Sequence, residues 1–169
     1  RTKPGIQGGF IDLPSIVAAY DWFARSPWSW PLLRIPNMDF PAGMNGYNAD
    51  FVPLAAILGK LVAPLFGAPP NPYPAWILAC FALNGAAMAM LCRAMGARSM
   101  MAAIAAGGFA AMLPMLHMRF GHTALMGQWP LILALAVLFA ADRGALRARG
   151  VATASLLIVG VASFVHIYI

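Results

Sequence analysis

Charge is what this chain has least of. Glutamate is absent from its 169 residues, and charged side chains make up only 9% of the sequence, against 62% hydrophobic ones. Soluble globular domains carry about a quarter charged and about half apolar residues, so the composition excludes an ordinary soluble domain. The mean hydropathy of +0.75 points the same way. The composition therefore indicates a polytopic membrane protein whose helices face lipid.

Cysteine and acidic residues are also scarce. Cys80 and Cys92 lie on one predicted helix, about 18 Å apart at the helical rise. A disulfide needs Cα atoms within about 7 Å, so the two cannot pair with each other. Nine arginines and two lysines against five aspartates give the net charge of +6. Because the arginines flank apolar runs, they indicate cytoplasmic loops of a membrane protein rather than nucleic-acid binding.

Residues 1–50 are rich in proline, glycine and asparagine, which break helices and form turns. This region is not a membrane span, although one helix is predicted at residues 13–25 with Asp12 as its N-cap. The region is also densely aromatic. Aromatic rings favour the headgroup level, which predicts a loop lying on the membrane surface. Packing of the same rings into a small extramembrane core is an equally good alternative.

The remainder predicts helices. Residues 51–66 are apolar, but they include Lys60 and fall short of the roughly twenty residues that a span needs. We expect an interfacial or re-entrant helix there. Residues 73–169 predict a transmembrane bundle with spans at about 73–91, 99–116, 123–141 and 151–169, the third kinked at Pro130. The fold class is thus all-α: a polytopic helix bundle of about four spans plus one interfacial helix. The first residue is not methionine and the last falls inside an apolar run, so we expect a fragment of a longer chain.

The arginines predict the topology. The loops at 92–98 and 142–150 carry two and three arginines, so both should face the cytoplasm. The loop at 117–122 and the end of the last helix should then face the opposite side. If residues 51–66 do not cross the membrane, residues 1–50 share this outer face with them.

The loop at 117–122 holds two of the three histidines and one arginine. Arg119 offers a planar fork of donors suited to a phosphate, and His117 and His122 add further donors. An ordinary interfacial loop with snorkelling side chains explains the three residues equally well. His122 and Trp129 are seven residues apart and would share a helix face. Gln128 would seek a partner on another helix.

Four further polar residues are candidates on the predicted outer face. A carboxylate at Asp12 or Asp50 could serve as a general base, but helix N-capping accounts for either one. A histidine late in an apolar helix is costly, which favours a pocket role for His166 and its neighbour Tyr168. The eligible metal ligands show no tight spacing, so no metal site is predicted and no cofactor is certain. A divalent metal is the less favoured alternative.

Several motifs occur in an order that resembles one family. They are Ser26-Pro27-Trp28-Ser29-Trp30-Pro31, Phe40-Pro41-Ala42-Gly43, Asp50-Phe51-Val52-Pro53-Leu54, Arg119-x-Gly121-His122-x-x-Leu125-x-Gly127-Gln128-Trp129 and His166-x-Tyr168. The chain resembles a group of bacterial polytopic membrane proteins similar to GT-C glycosyltransferases. The resemblance covers nearly the whole chain, and the segment from Arg119 to Trp129 is its most specific part.

The resemblance implies an inverting transfer of a sugar from a polyprenyl-phosphate carrier to an acceptor, at the periplasmic face of the bacterial plasma membrane. The lipid bilayer and the lipid-linked sugar donor would be the partners. Asp12 would take the place of the acidic catalytic residue, acting as the base that activates the acceptor hydroxyl, although it lacks the acidic neighbour found in many GT-C loops. Arg119, His122 and His117 would bind the carrier phosphate. The alternative is a non-enzymatic membrane protein, either part of a transporter or an assembly subunit. Transporters gather polar groups near mid-membrane rather than at one face, which favours the enzyme.

Overall fold

A computed structural model describes residues 13–49 and 51–165 of the chain. The expected all-α bundle is confirmed, with a single two-stranded hairpin in the described part. The α-helices are α1 (Leu13–Arg25), α2 (Pro53–Phe66), α3 (Tyr73–Ala94), α4 (Met100–Ala111), α5 (Pro114–His117), α6 (Trp129–Asp142) and α7 (Ala148–Val165). Two 3₁₀ helices cover Gly46–Ala49 and Thr123–Met126, and the antiparallel strands are β1 (Arg34–Ile35) and β2 (Met44–Asn45).

Four helical segments are long and apolar enough to cross a membrane: Tyr73–Ala94, Met100–His117, Thr123–Asp142 and Ala148–Val165. They fall on the four predicted spans. Helix α2 has 14 residues, or about 21 Å at the helical rise, against a hydrocarbon core of about 30 Å. It is therefore too short to cross the membrane upright.

Helix α3 packs against both α4 and α6, and α6 also packs against α7. Two glycines, Gly85 and Gly107, face each other in the contact between α3 and α4. A Cβ on Gly107 would lie 2.6 Å from the carbonyl oxygen of Gly85, and a Cβ on Gly85 would lie 3.1 Å from that of Gly107. Small residues of this kind let membrane helices approach at backbone distance.

The third span is broken rather than kinked. A 3₁₀ helix ends at Met126, Gly127 and Gln128 follow, and α6 begins at Trp129 with Pro130 in its first turn. The predicted kink at Pro130 is therefore wrong. Proline lacks the backbone N–H that a mid-helix residue must donate, but the first turn of a helix has no intrahelical acceptor for that group, so Pro130 starts a helix here.

Residues 13–49 and 51–66 form an N-terminal layer, consisting of α1, the hairpin and α2. Its buried side chains, among them Tyr20, Phe23 and Ile35, join Tyr73 and Trp76 of α3 in one hydrophobic core. The layer is thus fastened to the end of the bundle where α3 begins. Other aromatic rings of the layer are exposed, most of all Trp30 at 86% and Phe40 at 83%. Packing into a small core thus accounts for part of the aromatic residues, and a second part remains outside it.

The two arginine-rich loops meet at the other end of the bundle. Arg143 donates from Nη1 to the carbonyl oxygen of Met95 over 3.3 Å. Its guanidinium lies over Gly96, where an added Cβ would be 2.7 Å away. We call this the arginine end, and the opposite end, which carries the N-terminal layer, the layer end.

Candidate functional site

The segment from His117 to Trp129 closes the layer end of the bundle, and side chains of α3 hold it in place. Trp76 donates from Nε1 to the carbonyl oxygen of Thr123 over 2.9 Å, and Asn84 donates from Nδ2 to that of Met126 over 2.8 Å. Backbone groups at membrane depth need protein partners, because no water is available there. These two bonds therefore let a 3₁₀ turn exist where a continuous helix would otherwise be required.

Three polar atoms around this turn are buried without a hydrogen-bond partner in the described part of the chain. They are Thr123 Oγ1, Asn84 Oδ1 and Trp129 Nε1. Thr123 is 0% and Asn84 1% exposed. An unpaired buried polar atom costs about 1–3 kcal/mol, so native proteins rarely keep one without a reason. The turn therefore has unused hydrogen-bonding capacity next to Arg119 and His122.

His117 belongs to an aromatic cluster. Its ring lies 5.2 Å from that of Phe81 and 5.9 Å from that of Phe120, measured between centroids. Its Nδ1 is 3.2 Å from the carbonyl oxygen of Leu113. One ring nitrogen is thus engaged by the backbone, and Nε2 makes no hydrogen bond to another described residue.

An apolar groove of about 690 Å³ runs beside this histidine, between α3 and the end of α4. Among the described residues, His117 is the only ionisable one in the lining. The other lining residues are Phe81, Ala111, Met112, Pro114 and Met118. The groove therefore suits an apolar chain that carries a polar group at one end.

Arg119 follows two residues after His117 and is half-buried. The one ion pair between described residues joins Arg25 and Asp21 on α1, so no described carboxylate neutralises Arg119. A guanidinium offers five donors in a fixed plane, a geometry that matches phosphate and carboxylate oxygens. Arg119 thus remains available to an anion.

His122 is exposed and stands at the N-cap of the 3₁₀ helix, whereas Trp129 packs against the hydrophobic core at the start of α6. The two residues do not share a helix, so the predicted common face is wrong. Gln128 donates from Nε2 to the carbonyl oxygen of Leu125 over 2.7 Å. Its amide therefore stabilises its own turn instead of reaching another helix, because the broken span places Gln128 before α6 rather than inside it.

The sequence profile of a family described as "Domain of unknown function (DUF6311)" matches residues 3–169. The chain belongs to this family. No curated protein and no solved structure matches it. The DUF6311 match includes the N-terminal layer, the broken span and every residue predicted for the site.

Four of the predicted site residues of this DUF6311 chain lie outside the described residues: Asp12, Asp50, His166 and Tyr168. The N-cap of α2, which was expected at Asp50, is Val52, and it makes no side-chain capping bond. Within the described ranges, no group of three His, Cys, Asp or Glu residues could hold a metal ion.

The sequence analysis did not identify Trp76 and Asn84, the residues of α3 whose hydrogen bonds hold the turn at Thr123–Met126 in place. Asn84 is the only amide side chain in α3, and a lone amide in an apolar span usually bonds to another segment. That signal was present in the sequence, and Asn84 rather than Gln128 forms the bond between segments. The role of Trp76 had no such signal, because a tryptophan near the end of a span ordinarily marks the membrane interface.

Proposed function

We propose that the chain is part of a GT-C-like membrane glycosyltransferase that moves a sugar from a polyprenyl-phosphate carrier to an acceptor. The observation that carries the proposal is Arg119, half-buried without a described counter-ion, two residues from a histidine that lines an apolar groove. The reaction would take place at the layer end, facing the periplasm of a bacterial cell. The family resemblance of the segment from Arg119 to Trp129 supports the same activity.

The groove beside His117 suits the polyprenyl chain, since its lining is almost wholly apolar. A phosphate at the mouth of the groove would meet the free nitrogen of His117 and the guanidinium of Arg119. Charge-assisted hydrogen bonds of this kind are roughly twice as strong as neutral ones. His122, exposed on the same turn, would contact the remaining polar groups of the donor.

The transfer is a single displacement at the anomeric carbon of the sugar. The acceptor oxygen forms a bond to that carbon while the bond from the carbon to the phosphate oxygen breaks, and the polyprenyl phosphate leaves with the electron pair. The acceptor proton passes to a base, for which the resemblance implies Asp12. Arg119 stabilises the charge that develops on the departing phosphate, and the configuration at the anomeric carbon inverts.

Binding of the carrier tests the site before any sugar is known. Undecaprenyl phosphate is titrated into the full-length protein in phosphatidylcholine nanodiscs. We expect Arg119→Ala to weaken binding about tenfold or more, since a hydrogen bond to a charged group contributes roughly 1.5–3 kcal/mol. Arg119→Lys should lose part of this affinity because it keeps the charge and loses the fork. Arg34→Ala, an exposed arginine of the N-terminal layer, is the matched control.

Transfer is assayed separately, in membranes supplied with polyprenyl-phosphate sugars. Asp12→Asn should abolish transfer while leaving binding of undecaprenyl phosphate unchanged, and Arg119→Ala should reduce both. Equal binding by Arg119→Ala and Arg34→Ala would overturn the phosphate site. Tight binding without transfer of any sugar would instead favour the non-enzymatic alternative, a membrane protein that binds a lipid phosphate.

A further inference from the structure

A second apolar groove lies at the arginine end, remote from the turn at residues 117–129. Helices α3, α4, α6 and α7 all contribute to it, and its volume is about 650 Å³. Its walls are formed by small and aliphatic side chains, among them Ala89, Ala136, Ala154, Leu157 and Ile158. The alanines keep the groove open, because larger side chains at these positions would fill it. On α6 the groove extends from Ala140 to Leu133, about 10 Å at the helical rise.

The mouth of this groove is positively charged. Among the described residues, Arg93 is the only charged one in its lining, and its guanidinium donates from Nη1 to the backbone carbonyl of Arg98 over 3.4 Å. No described carboxylate forms an ion pair with it. The loops around the mouth add Arg98, Arg143 and Arg147 against one aspartate, Asp142. An anionic group therefore meets attraction at the point where the apolar walls end.

We infer that this groove binds an anionic phospholipid of the leaflet at the arginine end. One acyl chain lies along the alanine-rich walls, and the phosphate lies against the guanidinium of Arg93. Basic pockets between transmembrane helices are typical binding places for anionic headgroups. The apolar walls alone would accept any lipid, so the charge at the mouth determines which lipid is preferred. This site is independent of the proposed sugar transfer, which is assigned to the other end of the bundle.

Native mass spectrometry of the full-length protein in a neutral detergent tests the inference. Dioleoylphosphatidylglycerol and dioleoylphosphatidylcholine, which share their acyl chains and differ in headgroup charge, are titrated separately. We expect tighter binding of phosphatidylglycerol, and a loss of about fivefold in its affinity for Arg93→Gln, as one arginine near an anionic headgroup provides. Phosphatidylcholine binding should not change in this variant. Arg149→Gln, exposed at the same end but outside the lining, is the matched control for charge.

The variant Ala154→Phe tests the walls, because a phenylalanine at this position of α7 fills the groove. Ala152→Phe is its control, since Ala152 is exposed on the same helix and is not a lining residue. Ala154→Phe should reduce binding of both lipids and Ala152→Phe of neither. Equal affinity for the two lipids in the unmodified protein, or equal losses in Arg93→Gln and Arg149→Gln, overturns the inference. A photo-crosslinking residue in place of Leu157 gives a further test. If it forms adducts within the protein and none with lipid, another protein segment occupies the groove and the inference is overturned.

Discussion

Lys60 shows how a single charged residue is accommodated in an apolar chain. It is only 6% exposed, and its ammonium donates to the carbonyl oxygen of Phe23 over 2.9 Å. The same nitrogen lies 4.2 Å from the ring centroid of Phe23 and 4.4 Å from that of Trp28. Aromatic faces attract a cation, but they do not replace the water that it loses. Burial therefore lowers the pKa of Lys60 below its ordinary 10.5.

This lowered pKa predicts a pH dependence of stability. The folded protein releases the Lys60 proton at a lower pH than the unfolded chain does, so between the two pKa values the unfolded chain binds more protons. The free energy of unfolding therefore rises with pH through the window below 10.5. In Lys60→Met this contribution is absent. We expect the melting temperature of the unmodified protein, relative to that of Lys60→Met, to rise by a few degrees towards pH about 9.5.

The variant Lys60→Arg distinguishes the effect of losing a proton from the effect of having a positive charge at this position. Arginine stays protonated throughout this range. The melting temperature of Lys60→Arg should therefore change with pH in the same way as that of Lys60→Met, even though the positive charge remains. Burial raises the pKa of Tyr20 above its ordinary 10.0. This shift lowers the free energy of unfolding only when the pH exceeds 10.0, so the pH scan ends below that pH. Parallel pH profiles for all three proteins would contradict the account of Lys60.

At the scale of the helices, the contact between α3 and α4 depends on two glycines that face each other. The carbonyl oxygens of Gly85 and Gly107 occupy the space where the opposite Cβ would be. Backbone atoms cannot move aside as a flexible side chain can, because each carbonyl is fixed in its own helix. Gly108 is adjacent in sequence, yet a Cβ there would meet nothing within 4 Å.

This pair of neighbours gives a matched comparison. Gly107→Ala should lower the free energy of unfolding by about 1–3 kcal/mol, as overpacking in a tight contact does. Gly108→Ala should leave it unchanged or raise it by up to about 1 kcal/mol, since alanine is the better helix former. Thermal unfolding of both variants in the same detergent measures the difference. Equal stability of the two variants would show that α3 and α4 do not approach at backbone distance.

The helices could be predicted from sequence because long apolar runs bounded by arginines, prolines and glycines leave few alternatives. The break between Met126 and Trp129 could not. It depends on Asn84 and Trp76, which lie more than forty positions earlier and satisfy carbonyl groups that a continuous helix would have satisfied itself. Such bonds between distant segments have no periodic signal. The same break leaves Gln128 before α6, so its amide bonds within its own turn rather than to another helix.

At the scale of the whole molecule, the two ends of the bundle differ in the structure that they carry. The arginine end has short loops that contact each other through Arg143 and Met95. The layer end carries the N-terminal layer and the turn that holds Arg119. The arginine count in the loops was enough to place His117 and Arg119 at the end opposite to Arg93. Their detailed surroundings could not be predicted, because the ring contacts of His117 with Phe81 and Phe120 arise only when α3 and α5 pack together.

This asymmetry predicts which residues are accessible from each side of the membrane. Ser29 lies in the N-terminal layer and Ser99 in the loop before α4, at opposite ends of the bundle. In a Cys92→Ser background, which removes the partly exposed native thiol, an impermeant maleimide added to spheroplasts should label Ser29→Cys at once. It should label Ser99→Cys only after the membrane is permeabilised, because arginine-rich loops are retained in the cytoplasm. Labelling of both from one side would contradict the two-ended bundle. The reverse pattern would keep the bundle but place Arg119 in the cytoplasm, and the periplasmic sugar transfer would then have to be abandoned.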